Sequence, residues 1–217
     1  MTMSEDAQRI GSRLNTLLSE AGLGPLPAEL CDQFAAYYSL LIRWNARVSL
    51  TAIGDEDGIL RRHFVESIAC ARALPAEVGT VLDFGSGAGF PGIPIALCRP
   101  EISVTLAESQ GKKAAFLQEA VRVVGIPAKV YGGRAETLGQ QFDCIMMRAV
   151  DRMPQAVRAA AKLVRPGGWL APMTTVDELE RLKTAAGAEF DWTETVAPPG
   201  GESRVLALAQ RKVSLPV

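Results

Sequence analysis

The sequence predicts an α/β protein: a doubly wound, mostly parallel sheet of seven strands with an antiparallel C-terminal edge and a helical N-terminal extension. Three observations predict it. From Thr80 onward, short apolar runs alternate with amphipathic stretches, the pattern of strands joined by crossover helices. The first of those runs turns directly into a Gly-rich loop. Ahead of it, apolar residues recur only at helical spacing.

In the extension, Ile10, Leu14, Leu17, Leu18 and Ala21 form one helical stripe, stopped by Gly22 and Gly24-Pro25. A second helix follows Pro27, with Leu30, Phe34, Tyr37, Tyr38, Leu41 and Ile42 on one face. A third begins near Asp55–Asp57, where acids suit the positive helix end, and carries Leu60, Phe64, Ser67, Ile68 and Ala71. The strand candidates are 81–84, 102–108, 128–132, 142–147, 169–173, 191–196 and 203–210. Helices are expected at Lys112–Val124, stopped by Gly125, at Pro154–Val164, stopped by Arg165-Pro166-Gly167-Gly168, and at Val176–Ala186. Pro198-Pro199-Gly200-Gly201 separates the last two strands as a long hairpin turn.

The 217 residues are 48% hydrophobic and 22% charged, which excludes a disordered or fibrous chain. A net charge of −1 excludes a generally polycationic nucleic-acid binder and leaves room for a local basic face. Cys31, Cys70, Cys98 and Cys144 lack metal-knuckle spacing, and one histidine cannot supply a zinc cluster, so no metal is expected. The start MTMSEDAQRI places two acids before any apolar run, and no uncharged stretch is long enough to span a bilayer. The expectation is a soluble cytoplasmic protein with four reduced thiols.

The chemistry concentrates in Asp83-Phe84-Gly85-Ser86-Gly87-Ala88-Gly89-Phe90-Pro91-Gly92, where the first strand meets a helix. Gly85 and Gly87 let a ligand approach the backbone closely. Asp83 at the strand tip would repel a pyrophosphate and favour a ligand carrying an ammonium and a sulfonium, as S-adenosylmethionine does. Glu108, ending the second strand, can accept from both ribose hydroxyls of such a ligand. Asp83, Glu108, Glu136 and Arg148 all fall just past strand ends, where open parallel sheets bind ligands. Arg61, Arg62, Lys112, Lys113 and Arg134 are candidates for a phosphate-contacting face.

DFGSGAGFPGIPIAL, then LAESQGKKAAFL, GGRAE and MMRAV, together with RWNARVSLTAI and LRRHFVESI, resemble the 16S ribosomal RNA guanine-N7 methyltransferase family, also called the glucose-inhibited division protein B family. The resemblance covers about residues 30–185. It implies a Rossmann-like class I methyltransferase fold; the pattern of elements gives one domain over 1–217, with the helical extension at 1–76 and the α/β, S-adenosylmethionine-binding core at 80–212. It implies that Gly85 and Phe90 contact the cofactor, that Ala135 and Glu136 flank its adenine, and that Arg148 reaches cofactor or target base. The family's Arg-His pair falls on Arg62 and His63. The chain departs from the family pattern at Ala171-Pro172-Met173-Thr174, which lacks a lysine, at Ser49-Leu50-Thr51, and at Glu202-Ser203-Arg204.

The expected reaction is methyl transfer to N7 of a guanine in 16S ribosomal RNA or a small-subunit precursor, by a monomer. N7 carries a lone pair and no proton, so no residue is assigned as a general base, in keeping with a chain that has no Ser/His/Asp or Cys/His arrangement. Catalysis would be positioning. The alternatives are a methyltransferase for another RNA position or a small molecule, a nicotinamide-dependent oxidoreductase, which the Gly spacing and Asp83 disfavour, and a non-catalytic scaffold.

Overall fold

The helices of the extension bury one face each, and those faces meet. Helix α1 (Glu5–Glu20) buries Ile10, Leu14, Leu17 and Leu18 against α2 (Ala28–Asn45), which buries Phe34, Ala35, Tyr37, Leu40 and Leu41. Ile42, expected on the same face, is 40% exposed, because it lies one position beyond the Phe34–Tyr37–Leu41 line. The structure, a computed structural model, describes residues 5–193, 195–200 and 203–213.

The third expected helix has three parts. Asp55 caps α3 (Glu56–Ile59) by accepting from the Gly58 N–H at 2.6 Å. A π-helical turn, Leu60–Val65, follows and leads into α4 (Glu66–Ala73). Such turns reorient side chains and are frequent at functional sites. Here the turn carries Arg62 and His63.

The sheet is built from β1 (Thr80–Phe84), β2 (Ser103–Ala107), β3 (Lys129–Tyr131), β4 (Phe142–Arg148), β5 (Val164–Thr175), β6 (Phe190–Trp192), β7 (Arg204–Leu206) and β8 (Ala209–Arg211). Its order is β3-β2-β1-β4-β5-β8-β6, with β7 also on β5. The first five strands are parallel and the last three antiparallel, as expected. Among the described residues, hydrogen bonding divides the sheet into eight strands rather than seven because the 203–210 candidate is split. β7 and β8 share one register on β5, Met173 facing Leu206 and Leu170 facing Ala209. Between them Ala207 donates to the Pro172 carbonyl at 3.1 Å, and Pro172 has no N–H to return.

Two other boundaries move. β5 starts at Val164, five residues before the expected Trp169, with Phe142 paired to Val164 and Cys144 to Trp169. Arg165–Gly168, expected to stop the preceding helix, therefore bulges out of the strand, and that helix ends earlier, at Ala161. The 191–196 candidate shortens to β6 plus a single Val196–Leu206 bridge; Glu194, Gly201 and Glu202 fall outside the described residues.

Helices α5 (Gly92–Cys98) and α6 (Gly111–Val124) join α2 and α4 on one face of the sheet. α7 (Met153–Ala161) and α8 (Val176–Ala186) cover the other. One apolar cluster runs without a break from Ile10 and Phe34 to Leu106 and Met146, so the extension packs as part of the helical layer. Among the described residues no helix is long and apolar enough to cross a membrane.

Candidate active site

The carboxyl ends of β1 and β2 set the Gly-rich loop. The Gly85 and Ser86 amides both donate to the Ala107 carbonyl at 3.0 Å, and Gly89 donates to the Ser86 carbonyl at 2.7 Å. Gly85 (φ +75°) and Gly89 (φ +88°) hold left-handed backbone that glycine adopts at least cost. The extension braces the loop from behind. Tyr37 Oη donates to the Ala88 carbonyl, and Phe90 packs on the Tyr37 ring at 5.1 Å and the Phe64 ring at 5.1 Å. His63 stacks on Phe90 with centroids 4.9 Å apart and 18° between planes.

The loop forms one wall of a cavity of about 740 Å³, within the range of small-molecule sites. Gly85, Gly87, Phe90, Glu108, Ala135, Glu136 and Arg148 all line it, as does Arg134. Glu108 is buried, and its carboxylate accepts from the Gly87 amide at 3.0 Å and the Gln110 amide at 2.7 Å. Each oxygen keeps a further lone pair for a ligand hydroxyl. These residues fit a ribose-bearing ligand that lies along the backbone of the loop.

Asp83 is the exception and corrects the expectation of direct contact. It is fully buried beneath the loop and does not line the cavity. Its Oδ2 accepts from the Gly92 amide at 3.0 Å, fixing the start of α5, while Oδ1 has no hydrogen-bond partner among the described residues. Burial pushes this carboxyl up to about 7, against the pull of its hydrogen bonds and of Arg148.

A second cavity of about 970 Å³ adjoins the first, and Leu50, His63, Arg148, Ala149, Val150, Asp151, Arg152 and Gln155 line both. Between the two, Ala149 (φ 48°) and Arg152 (φ 53°) hold left-handed backbone without being glycine, a strain that marks functional loops. Five arginines reach the second cavity: Arg62, Arg148, Arg152, Arg181 and Arg204. Among the described residues Arg62, Arg152 and Arg181 have no carboxylate within 4 Å, whereas Arg61 is spent on Glu20 at 2.7 Å and Arg134 on Glu136 at 3.3 Å. The basic face thus differs from the expected one. Lys112 is exposed and lines neither cavity; Lys113, about 100° further round α6, turns into the first.

A buried polar network joins the cavities. Glu66, 2% exposed, reaches Arg204 Nη2 at 2.5 Å and Arg148 Nη1 at 3.9 Å. Burial pushes the Glu66 carboxyl up while Arg148 and Arg204 pull it back. Arg148 Nη2 meets His63 Nδ1, and His63 Nε2 lies 2.7 Å from Thr51 Oγ1. Burial, with Arg148 second, depresses the His63 imidazole to about 3, so it is neutral. A guanidinium only donates, so Nδ1 accepts from Arg148 and Nε2 carries the proton. Glu66, Thr51 and Arg204 come from distant segments, and no local motif points to their meeting. Arg204, from the third departure from the family pattern, lies inside the network. Among the described residues no cluster of His, Cys, Asp and Glu could hold a metal ion.

The chain is similar to several known proteins. A protein 41% identical over 190 residues, covering 82% of this chain and 81% of its own, is the ribosomal RNA small subunit methyltransferase G of Roseiflexus sp. (strain RS-1). The protein of the same name from Geobacillus kaustophilus (strain HTA426) is 34% identical over 220 residues, covering 94% and 92%. Among solved structures, a putative O-methyltransferase from Klebsiella pneumoniae superposes with a TM-score of 0.59 at 18% identity, over 95% of this chain and 99% of its own, which shows a shared fold. The model of the GidB family, described as rRNA small subunit methyltransferase G, matches residues 30–195, and with these relatives it shows that the chain belongs to that family.

Proposed function

We propose that the protein is an S-adenosylmethionine-dependent methyltransferase that modifies N7 of a guanine in 16S ribosomal RNA, acting as a cytoplasmic monomer of one domain without a metal. The observation that carries the reading is the meeting of two cavities at His63 and Arg148, one walled by the Gly-rich loop and Glu108, the other by five arginines. Glu108 would hold the ribose, Gly85, Gly87 and Phe90 the body of the cofactor, and Ala135 and Glu136 its adenine end. Bound there, S-adenosylmethionine supplies a sulfonium methyl whose carbon–sulfur bond breaks as the N7 lone pair attacks.

The protein's part is to position and to exclude water. Arg62, Arg152 and Arg181 are placed to meet phosphates of the RNA entering the second cavity. No proton leaves N7, and the site matches that demand: both His63 nitrogens are occupied by Arg148 and Thr51, so the only histidine has no lone pair free for a substrate proton. Family membership removes the support for the oxidoreductase alternative. The test is mass spectrometry of 16S ribosomal RNA from cells lacking the gene. One 7-methylguanosine should vanish and return on complementation; an unchanged RNA would refute the reading.

A further inference from the structure

Thr51 is fixed before any substrate arrives. The Asn45 side chain accepts from the Leu50 and Thr51 amides at 2.8 and 3.0 Å and donates to the Thr51 carbonyl at 3.1 Å. Thr51 Oγ1 accepts from the His63 Nε2–H at 2.7 Å, a direction set by Arg148 on the opposite nitrogen. It also accepts from the Ile53 amide at 3.1 Å. Both lone pairs of the hydroxyl are therefore used. Its own proton cannot go to His63, whose Nε2 already carries one. Thr51 lines the second cavity beside Arg62 and Arg148, so that proton is available to a ligand there. Arg148 is less available: Nη2 is committed to His63, and Nη1 is sealed from solvent beside Glu66.

We infer that the Thr51 hydroxyl is a specificity determinant that donates to O6 of the target guanine, an inference that rests on the guanine-N7 reading above. On the edge that carries N7, guanine presents an acceptor at position 6 and adenine an amino donor. A hydroxyl able only to donate pairs with the first and opposes the second, and a bond to O6 leaves the N7 lone pair free. The chain Arg148–His63–Thr51 fixes the hydroxyl's direction, which makes Arg148 and His63 positioning residues for base selection.

The experiment is single-turnover methylation of 16S-derived RNA carrying either guanosine or 2-aminopurine riboside, which keeps N7 and lacks O6, at the nucleotide mapped by mass spectrometry. Wild type should lose about tenfold in kcat/KM on 2-aminopurine, the effect of one neutral hydrogen bond. Thr51→Val should lose about tenfold on guanosine and be indifferent to the base, while Thr51→Ser should behave as wild type on both. Equal wild-type rates on the two bases would overturn the inference without any variant. A Thr51→Val loss that adds to the base penalty, or a weakened S-adenosylmethionine affinity in that variant, would also overturn it, because the hydroxyl would then act elsewhere. Absence of any 7-methylguanosine from wild type would instead refute the functional reading itself.

Discussion

Arg148 and His63, 85 residues apart in sequence, meet Nη2 to Nδ1 at the wall shared by the two cavities. The pairing fixes the histidine as a neutral donor toward Thr51. His63→Gln can reproduce it, since the amide oxygen accepts from Arg148 and the amide nitrogen donates to Thr51. Turnover of that variant should stay within about tenfold of wild type, with part of the loss from the Phe90 stack. Any pH dependence between about 6 and 8.5 should persist in it, because the His63 imidazole titrates near 3. Arg148→Ala leaves Glu66 with Arg204 alone and His63 unoriented, and should cost about a hundredfold. Single-turnover kinetics across pH check all three.

Glu108 has two tasks: it holds the Gly87 and Gln110 amides and offers its remaining lone pairs to the cavity. Glu108→Ala should weaken S-adenosylmethionine binding by about tenfold to a hundredfold in titration calorimetry, the loss of charge-assisted hydrogen bonds. NADH should not compete with the cofactor in the same titration.

Asp83 should reveal itself through stability. Its folded-state carboxyl titrates at about 7, above the ordinary value near 3.9. Between those values the folded state holds the extra proton, so this group's contribution to stability is present at low pH and is lost as pH rises through about 7. Asp83→Asn removes that titration. Relative to wild type, the variant should gain about 2–3 kcal/mol between pH 5 and pH 8, or several degrees in Tm, measured without cofactor. A constant difference across that range would contradict the buried, partly orphaned carboxyl.

The parts of the site legible in the sequence are those that a parallel sheet delivers by topology. Gly85, Glu108 and Ala135 each follow a strand end, and strands β1, β2 and β3 lie side by side, so their loops must share one wall. Asp83 stands at the expected end of β1, but alternation along the strand sends its side chain under the loop toward Gly92. Lys112 lies one helical position away from the residue that faces the cavity. The Glu66–Arg204 pair joins α4 to β7, and that partnership exists only once the antiparallel edge has closed on β5. The π-helical turn that presents His63 also has no local signal, because Leu60, Phe64 and Ile68 keep ordinary helical spacing. Pro172 is visible as a departure from the family pattern, while its effect, splitting β7 from β8, depends on the register that faces it with Ala207.

RNA affinity should report the arginine wall rather than net charge. Arg181→Ala and Arg62→Ala should each weaken binding of 16S-derived RNA and reduce the slope of log affinity against log salt by about one. Lys112→Ala, outside both cavities, should change neither. Fluorescence anisotropy at several salt concentrations measures this. A slope that falls equally for all three would place the RNA elsewhere on the surface.

The central claim, that a guanine entering the arginine-walled cavity takes its methyl at N7, is tested most directly by product analysis. Purified protein is incubated with small subunits, or with their free 16S RNA, from cells lacking the gene, together with methyl-labelled S-adenosylmethionine. The RNA is then digested to nucleosides for mass spectrometry. The label should appear in 7-methylguanosine at a single nucleotide, at the same position that loses its methyl in the deletion strain. Label in a methylated exocyclic or ring nitrogen that must first shed a proton, or in no nucleoside at all, would contradict the account.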